Sequence, residues 1–489
     1  MLGELVYGGM KTYGKTKNSH IKKTSEVMSK NKQDASINEK FDWQLYPETE
    51  AFLNKKVNEF LSKNPFAKKL SNRMLSETST KFFNWIDHMV IPESFIDEQA
   101  LINMGFSEFH PVDKKVENGK AFKHSRSYFF PIILGNKKTI EISLKPEELD
   151  SFIQAMGIYT KIEGEPYSRF RKAKIFSKNN YLLSAIERRG YDGFLPDNGK
   201  DVKKYLNALS TFFTRQRIFE SDDEGMIKTC SIIKKIKSYL DTARLSDAFF
   251  RSERAYWEKR NRAGQIQKAR QDTLGLGWGN KDHHTYRSSR KNFSKMINIF
   301  ESIGYNCREK YYAGDQARWG AQIMEHEVCD TVVFTDVDLY PEETDIDFPH
   351  KGLVQKNKLG TVGLWVGLHG ESILQAGMHH LEARFDFENL KIELPKFGIT
   401  VMPPFSNFEF LKQAFTVGEK WQVEKKRADI LLKNLSITKE QHDIFIKEGA
   451  IGSHMENLER TKGFKGFNKS SVTKIIKATD PRSQNVSGA

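Results

Sequence analysis

An internal repeat is the feature that most constrains the fold of this 489-residue chain. The stretch "WIDHMVIPESFIDEQALINMGF" opens a predicted strand with Asp87-His88 and continues into a helix that ends at a glycine before an aromatic residue. About 195 residues later, "KDHHTYRSSRKNFSKMINIFESIGY" opens with Asp282-His283 and follows the same order. Further strand patterns follow each helix. A recurring order of elements is typical of duplicated units, so the sequence predicts two modules of the form βαβββ.

The predicted fold class is α+β, with the two βαβββ modules forming a central curved sheet and a helical insertion between them. The insertion is predicted from amphipathic stretches such as "VKKYLNALSTFFTRQRIF", whose apolar residues recur at helical spacing. The chain then divides into a flexible basic N-terminal segment (1–45), the first module with its leading helix (46–175), the helical insertion (176–278), the second module (279–415), and a helical C-terminal segment with a basic tail (416–489).

The formal charge of +14 raises the question of an anionic partner. Much of the excess lies near the two ends, which are rich in Lys. An ordinary Lys-rich surface explains the charge better than nucleic-acid binding, because no RNA-binding or helix-turn-helix signature accompanies it. A positive field also suits a small anionic substrate. We therefore expect a small-molecule ligand and no nucleic-acid partner.

The longest apolar run, near "YFFPIIL", is far shorter than the roughly 20 residues of a membrane-spanning helix. Three cysteines are widely spaced and form no CxxC pair, which favours a reducing compartment and disfavours a cysteine-held zinc. We expect a cytoplasmic protein with no membrane partner. The basic, mildly amphipathic start keeps a mitochondrial location as the alternative, although Glu4 counts against a presequence.

The histidines that open the two repeats suggest a metal centre. Catalytic iron(II) is commonly held by two histidines and one carboxylate on one face, which leaves open positions for oxygen and substrate. Equivalent strands of paired βαβββ modules lie near each other, so we expect His88 to meet one histidine of the 283–284 pair. Neighbouring side chains of a strand point to opposite faces, so only one of His283 and His284 can ligate in the simplest geometry.

The residues alone leave the carboxylate of such a centre open among Glu382, Glu388 and Glu393. Glu393, in "LKIELPKFGITV", has apolar residues on both sides in a predicted strand. A buried acid costs several kcal/mol unless it is paired or holds a metal, which makes Glu393 the most informative of the three. Glu382, in "HHLEARFDF", has more charged neighbours.

Together these stretches resemble the 2-oxoadipate dioxygenase/decarboxylase (hydroxyglutarate synthase) family, which is related to the vicinal oxygen chelate fold. The resemblance rests on "WIDHMVIP" with its Gly-Phe helix end, "KAFKHSRSYFFPIILGNKKTIEISL", "KPEELDSFIQAMGIYTKI" and "GEPYSRFRKAKIF". "KDHHTYR" is similar to the family's Asn-His-x-Thr, and "KIELPKFGITVMPP" to its Glu strand. The likeness spans roughly residues 50–415, and its long middle part matches in character only.

The resemblance implies an iron(II) enzyme that uses O2 to decarboxylate a 2-oxo acid, yielding a 2-hydroxy acid and CO2. Carried onto this chain, it implies His88, His283 and Glu393 as metal ligands. His283 is chosen over His284 because Thr285 sets the register of the His-x-Thr motif. Arg171 and His284 are the expected substrate-binding residues, since a guanidinium group pairs well with a carboxylate.

Two positions depart from the family pattern. Pro92 stands where the family has an Arg that grips the substrate, and Asp282 stands where it has Asn. The metal site is compatible with both changes, but specificity for a dicarboxylate is not assured by the sequence. Two alternative functions remain: a metal-dependent isomerase, lyase or ring-cleaving enzyme on the same fold, and a non-catalytic nucleic-acid-binding protein. A degenerate scaffold that kept the sheets and lost the iron is the third alternative.

Overall fold

The computed structural model describes residues 43–111, 119–314, 317–356, 358–468 and 480–482. The predicted flexible N-terminal segment lies almost wholly outside the described residues, as does most of the basic tail beyond residue 468. The described chain contains two large β-sheets with helices packed against them. None of its helices is long and apolar enough to cross a lipid bilayer.

Residues 47–188 form two helices and then the first sheet. The elements are α1 (Pro47–Lys63), α2 (Pro65–Thr78), β1 (Ile86–Pro92), α3 (Glu98–Asn103), β2 (Ser107–Phe109), β3 (Gly119–Lys123), β4 (Ile132–Gly135), β5 (Ile140–Leu144), α4 (Leu149–Met156), β6 (Ile162–Glu163), β7 (Phe170–Lys178) and β8 (Tyr181–Arg188). Within the described part of the chain, its strands lie in the order β2-β3-β4-β1-β5-β8-β7-β6.

Four helices follow and lead into the second sheet. The helices are α5 (Val202–Thr214), α6 (Asp222–Lys237), α7 (Thr242–Glu258) and α8 (Arg262–Asp272). The remaining elements are β9 (Lys281–Arg287), α9 (Phe293–Ser302), β10 (Asn306–Tyr312), β11 (Trp319–His326), β12 (Thr331–Asp338), α10 (Phe348–Lys351), α11 (Thr361–His369), β13 (His380–Arg384), α12 (Phe387–Glu393), β14 (Ser406–Phe408), β15 (Leu411–Phe415), β16 (Glu419–Trp421), α13 (Lys425–Lys433), α14 (Lys439–Glu448) and β17 (Ala450–Arg460). The strand order is β10-β11-β12-β9-β13-β17-β15-β14, with β16 beside β17.

Each sheet consists of two βαβββ modules side by side. In the first sheet, β1 is parallel to β4 and antiparallel to β5, and β5 is parallel to β8. The second sheet repeats this pattern, because β9 is parallel to β12 and antiparallel to β13, and β13 is parallel to β17. The α+β class, the βαβββ unit and the repeat at residue 282 are confirmed. The described chain holds four such modules where two were predicted.

The sheets extend past the predicted segment boundaries at two places. β8 continues the first sheet to residue 188, beyond the predicted end at 175. β17 is an interior strand of the second sheet, although a helical segment and tail were predicted for 416–489. Each of these strands pairs with the first strand of its own module, β5 or β13. Such long-range pairing is a tertiary effect that local periodicity does not report.

Alternation along the strands gives each sheet two distinct faces. On the first sheet, Met89 and Ile142 belong to a buried core that includes Phe60 of α1. On the second sheet, Tyr286 packs against Phe250 of α7, with 6.2 Å between the ring centroids. The opposite face of the second sheet carries polar as well as apolar side chains, and its polar side chains include the candidate site.

The first helix of each repeat ends in the same way. Gly105 and Gly304 have φ values of +91° and +97°, which a residue with a side chain rarely adopts. A Cβ atom at Gly105 would lie 2.4 Å from Nε2 of His124, and one at Gly304 would lie 2.6 Å from Nε2 of His326. Glycine is therefore required at both positions by backbone conformation and by the histidine packed behind it.

The segment around Glu393, predicted to be a strand, forms the helix α12 after the short strand β13. The Asp386 side chain caps α12 by accepting a hydrogen bond from the backbone N–H of Asn389. Phe387 and Leu390, almost one helical turn apart, are the buried residues of this helix. Helical spacing and the cap outweigh the strand-like composition, and Glu393 consequently lies at a helix end.

Candidate metal centre

Three adjacent strands of the second sheet bring the candidate ligands together. β9 carries His283, β13 carries His380 and Glu382, and β17 carries Glu456. β13 lies between the other two, with His380 opposite Thr285 of β9 and Glu382 opposite Glu456. Since alternate residues of a strand share a face, these side chains lie on one face of the sheet.

Three of these side chains converge on one point, and all three are buried. Nε2 of His380 lies 2.8 Å from Oε2 of Glu456, and Nε2 of His283 lies 3.6 Å from the same oxygen. One ligand atom from each residue lies within 4.8 Å of the others. At metal–ligand distances of about 2.0–2.2 Å, neighbouring ligand atoms of one ion stand about 3 Å apart. The donor set therefore fits one divalent metal ion.

Glu382 lies on the far side of the His283 ring. Its Oε1 is 2.7 Å from Nδ1 of His283. Nε2 of Gln413, on β15, donates to Glu382 over 2.9 Å and to Glu456 over 3.1 Å, which ties the two carboxylates together. Metal-binding histidines commonly present their second ring nitrogen to a carboxylate, which sets the ring orientation. His283 thus has one nitrogen for an ion and the other for Glu382.

Several polar atoms of the cluster are buried without a hydrogen-bond partner among the described residues. They include Nδ1 of His380 and both atoms of the 2.7 Å contact between His283 and Glu382, whose geometry is not that of a hydrogen bond. Buried polar groups are nearly always satisfied, so an unsatisfied group points to a bound water or ion. The unsatisfied Nδ1 of His283 and Oε1 of Glu382 face each other away from Glu456 and belong with Asp282 to a second group of possible ligands, so they do not bear on an ion between His283, His380 and Glu456.

The acid–base state of the cluster also suits a cation. Burial and the nearby Glu456 carboxylate raise the pKa of Glu382 to about 8. Burial lowers the pKa of His283, but the Glu382 carboxylate outweighs it and raises that pKa well above the ordinary range. Burial and the charge of His283 lower the pKa of His380. Metal binding requires neutral imidazoles, so a divalent ion would displace the proton from His283.

His88 does not reach this cluster. It lies on β1 of the first sheet, where its Nδ1 is 2.6 Å from Oδ2 of Asp87 and its ring packs against Phe194. Nε of Arg188 donates to the same aspartate over 2.7 Å. The prediction that His88 and His283 meet assumed that their strands are neighbours. The two strands instead belong to different sheets.

Glu393 and Glu388 also lie outside the cluster, on α12. Oε1 of Glu393 accepts from Nζ of Lys396 over 2.7 Å, in an i,i+3 ion pair. The side chain of Glu388 is 60% exposed. The expected triad is therefore not assembled around His283, and of the three carboxylates left open by the sequence, Glu382 is the one beside it.

The two predicted substrate-binding residues lie elsewhere. Nη1 of Arg171, on β7 of the first sheet, donates to Asp150 over 2.6 Å and to Glu187 over 3.4 Å, so its charge is already paired. His284 points to the opposite face from His283 and packs against Phe250, with 4.6 Å between ring centroids. Burial lowers the pKa of His284 well below its ordinary range, as expected for a neutral core histidine.

Strand register identifies the equivalent positions of the first sheet. His88 corresponds to His283, Glu141 to His380, and Ser184 to Glu456. Nζ of Lys172 lies 2.7 Å from Oε1 of Glu141 in this region. One imidazole and one carboxylate are present there, and the carboxylate is already paired with an ammonium group. The first sheet therefore offers a poorer metal site than the second.

His380 and Glu456 are the functional candidates that the sequence interpretation missed. "HHLEAR", which begins at His379, repeats the doubled histidine of "DHHTYR" and could have marked the start of a fourth module. The end of that module carries a second signal. "IER", ending at Arg188, and "LER", ending at Arg460, close the equivalent strands β8 and β17. Arg188 pairs with Asp87, and Arg460 pairs with Asp282, which are the aspartates directly before His88 and His283.

No family model matches this sequence, and no curated protein matches it. Three of the solved structures that align with it illustrate the likeness. They are a protein described as a hydrolase from Shewanella frigidimarina (18% identity, 46% of this chain and 97% of that chain, TM-score 0.31), a mutant of 4-hydroxymandelate synthase from Streptomyces coelicolor (9%, 83% and 100%, 0.28), and methylmalonyl-CoA epimerase from Mycobacterium tuberculosis (11%, 37% and 89%, 0.21).

Proposed function

We propose that the protein is a mononuclear non-haem iron(II) dioxygenase that converts a 2-oxo acid and O2 into a 2-hydroxy acid and CO2. The observation that carries this proposal is the convergence of two imidazoles and one carboxylate, from His283, His380 and Glu456. This is the donor set that iron(II) oxygenases use, with positions left open on the metal. 2-Oxoadipate, which the sequence resemblance implies, is the first substrate to test.

Iron(II) held by these residues would supply the open coordination positions and the redox chemistry for O2. The protein supplies the rest. Glu456 contributes the negative charge, and Gln413 holds its other oxygen by a 3.1 Å hydrogen bond. Oγ1 of Thr285 lies 2.7 Å from Nε2 of His380, the same nitrogen that faces Glu456, so an ion bound at this nitrogen would replace the contact with Thr285.

Arg287 is the group best placed to bind the substrate carboxylate. It lies on β9, on the same face as His283, and its positive charge contributes to the lowered pKa of His380. Its buried Nε has no hydrogen-bond partner among the described residues and lies 3.6 Å from Asp336. Burial raises the pKa of Asp336 to about 7, so this carboxyl is a weak competitor near neutral pH. A guanidinium group with a free donor suits a carboxylate.

Aromatic side chains shield the cluster from water. The ring centroids of Phe334 and His283 are 4.3 Å apart, and those of Phe415 and His380 are 5.2 Å apart. Phe405 stacks on Phe415 at 4.9 Å. A site with dry walls strengthens electrostatic interactions and protects reactive species from side reactions.

The proposed reaction is balanced without a further reductant. The C1 carboxylate of the 2-oxo acid leaves as CO2, C2 becomes the new carboxylate, and C3 gains a hydroxyl group. The two atoms of O2 enter the new carboxylate and the hydroxyl group. Decarboxylation and hydroxylation each remove two electrons from the substrate, which together reduce one O2.

Iron content and turnover test this function separately. Protein loaded with iron(II) without oxygen and then desalted should retain about one iron per chain. His283→Ala, His380→Ala and Glu456→Ala should each lose it, because two protein ligands do not hold the ion tightly. His88→Ala and Glu393→Ala are the matched controls and should keep it. Oxygen uptake, CO2 release and 2-hydroxyglutarate formation are then measured with 2-oxoadipate.

The outcomes discriminate among the alternatives. Absence of tight iron in the wild-type protein contradicts the dioxygenase proposal. Iron that is retained, with no oxygen uptake for any 2-oxo acid in a panel of chain lengths, favours an isomerase, lyase or ring-cleaving enzyme on the same fold. Uptake with a 2-oxo acid other than 2-oxoadipate keeps the reaction and changes the substrate, as Pro92 at the family's Arg position allows.

A further inference from the structure

A cavity of about 200 Å³ lies where the two sheets meet. From the first sheet, its wall includes Asp87 of β1 and Lys145, which directly follows β5. From the second sheet, it includes Lys281, His283 and Phe334. The cavity therefore extends from the junction of the sheets to the side of the proposed metal centre that His283 forms. We refer to it as the junction cavity.

Three lysines line the junction cavity without a carboxylate partner: Lys123, Lys145 and Lys281. Among the described residues, no carboxylate oxygen lies within 4.0 Å of their ammonium groups, and these groups make no side-chain hydrogen bond. Each of the three is shielded from bulk solvent to an intermediate degree. Lysines away from the open surface are normally paired, because desolvating a charge without a partner is costly.

The remaining charges of the wall do not neutralise these lysines. Asp282 is already bound by Arg384, whose Nε donates over 2.7 Å. Asp330 also lines the cavity, and although burial raises its pKa, Lys123 and Lys145 hold that pKa well below the usual range. Asp330 and Asp87 act on Lys145 only at longer range, as Glu147 does on Lys281. The cavity wall carries nine Lys or Arg side chains against seven Asp or Glu side chains, so a surplus of positive charge remains.

We propose that the junction cavity binds a small anion, carrying a carboxylate or phosphate group, through Lys123, Lys145 and Lys281. Charge-assisted hydrogen bonds to such a group would supply acceptors to ammonium groups that have none among the described residues. The cavity is smaller than the about 300–1,000 Å³ of pockets for drug-sized ligands, so it suits a small acid or inorganic phosphate better than a nucleotide. Burial lowers the pKa of Lys145, as expected where an ammonium group has too few acceptors.

Anion binding is tested on the full-length chain without added iron, so the result does not depend on the proposed oxygenase activity. Inorganic phosphate and succinate are titrated by calorimetry at low ionic strength. We expect saturable binding by the wild-type protein, and about tenfold weaker binding by Lys145→Gln and by Lys123→Gln, since each removes one charge-assisted contact. Lys145→Arg should restore most of the affinity.

The matched control is Lys425→Gln, because Lys425 is an exposed lysine of α13 with its own partner, Asp429, at 2.6 Å. It should bind phosphate as the wild-type protein does. The proposal would be overturned if Lys145→Gln and Lys123→Gln bound phosphate with the affinity of the wild-type protein. It would also be overturned if the wild-type protein showed no saturable binding of either probe. Melting temperatures of all variants show whether each is folded.

A second arm identifies the source of the anion. Phosphate affinity is measured on iron-loaded protein without oxygen, with and without saturating 2-oxoadipate. Competition would mean that the lysines hold the distal carboxylate of a substrate whose other end lies at His283. Independent binding would mean that the cavity takes a separate small anion. Either result retains the anion site and decides what occupies it.

Discussion

Nδ1 of His283 lies 2.7 Å from Oε1 of Glu382, while Nε2 of the same ring faces Glu456. The two nitrogens of one imidazole are thus divided between an outer carboxylate and the proposed metal position. Glu382 also lies directly opposite Glu456 in the register of β13 and β17, so two buried carboxyl side chains are neighbours. A cation between the histidines and Glu456 relieves this concentration of negative charge.

Removing the outer carboxylate should weaken metal binding without abolishing it. Glu382→Gln keeps the shape of the side chain but loses the charge that orients His283. Iron affinity should fall about 10–100-fold, as is usual for partners of metal ligands. The measurement is competition with a calibrated chelator. Glu388→Gln, an exposed glutamate on α12, is the control and should bind iron normally. An unchanged affinity in Glu382→Gln would mean that His283 is held in place by other contacts.

The metal-free protein should lose stability as the pH rises from about 6.5 to 8. The pKa of Glu382 is raised from its ordinary 4.5 to about 8, so the folded state keeps a proton that the unfolded state releases. Stability then falls with rising pH, by up to about 1.4 kcal/mol per pH unit. Urea unfolding at several pH values measures the slope.

The Glu382→Gln variant supplies the control for this pH effect. It has no proton to lose at position 382, so its stability should change less between pH 6.5 and 8. Saturating divalent metal should also flatten the wild-type curve, because the carboxylate is then stabilised in its charged form. Equal slopes for the metal-free wild type and Glu382→Gln would refute this origin of the pH dependence. Below pH 6.5 a separate loss is expected, since burial lowers the pKa of His369 and His454 to about 3.

The glycine at the end of α9 should tolerate alanine less well than the glycine at the end of α4. Gly304 and Gly157 both have positive φ, at +97° and +62°. Alanine should cost about 1–2 kcal/mol at each for the backbone conformation. At Gly304 the added Cβ also meets Nε2 of His326 at 2.6 Å, whereas nothing lies within 4 Å of it at Gly157.

We therefore expect Gly304→Ala to cost about 1–3 kcal/mol more than Gly157→Ala, through overpacking. Chemical denaturation of the two variants measures the difference. Gly304→Ala combined with His326→Ala should recover part of the loss, because the clash is with that ring. A cost at Gly304 no larger than at Gly157 would show that the histidine moves aside freely.

The ion pair of the first sheet should behave as a structural contact. Lys172→Met leaves the carboxylate of Glu141 without its 2.7 Å partner and should cost about 2–4 kcal/mol, somewhat less than the loss of a fully buried partner. Adding Glu141→Leu should return much of the stability, since replacing both charges by apolar groups is often nearly neutral. Unfolding free energies of the single and double variants test this. Iron content should stay at about one per chain in both. A second iron in either would show that the first sheet also binds metal.

The sequence predicted the local parts of this fold well. The opening Asp-His strands, the helices that end at Gly105 and Gly304, and the helical stretch before residue 272 are confirmed. Each of these depends on periodicity or on a capping glycine, which are properties of a few neighbouring residues. The strand predicted around Glu393 is wrong, because the Asp386 cap and two buried apolar residues favour a helix that carries Glu393 away from the cluster.

What the sequence determined by itself was the repeated βαβββ unit and the orientation of His283 relative to His284, because alternation in a strand fixes which side chains share a face. Only the tertiary structure decided which repeats form one sheet, and with that which residues join His283. Its neighbours in the cluster, His380 and Glu456, come from strands about 100 and 170 residues further along the chain. They meet because β13 pairs with β9 on one side and β17 on the other. Such pairing depends on the packing of whole modules, and no local pattern of residues records it.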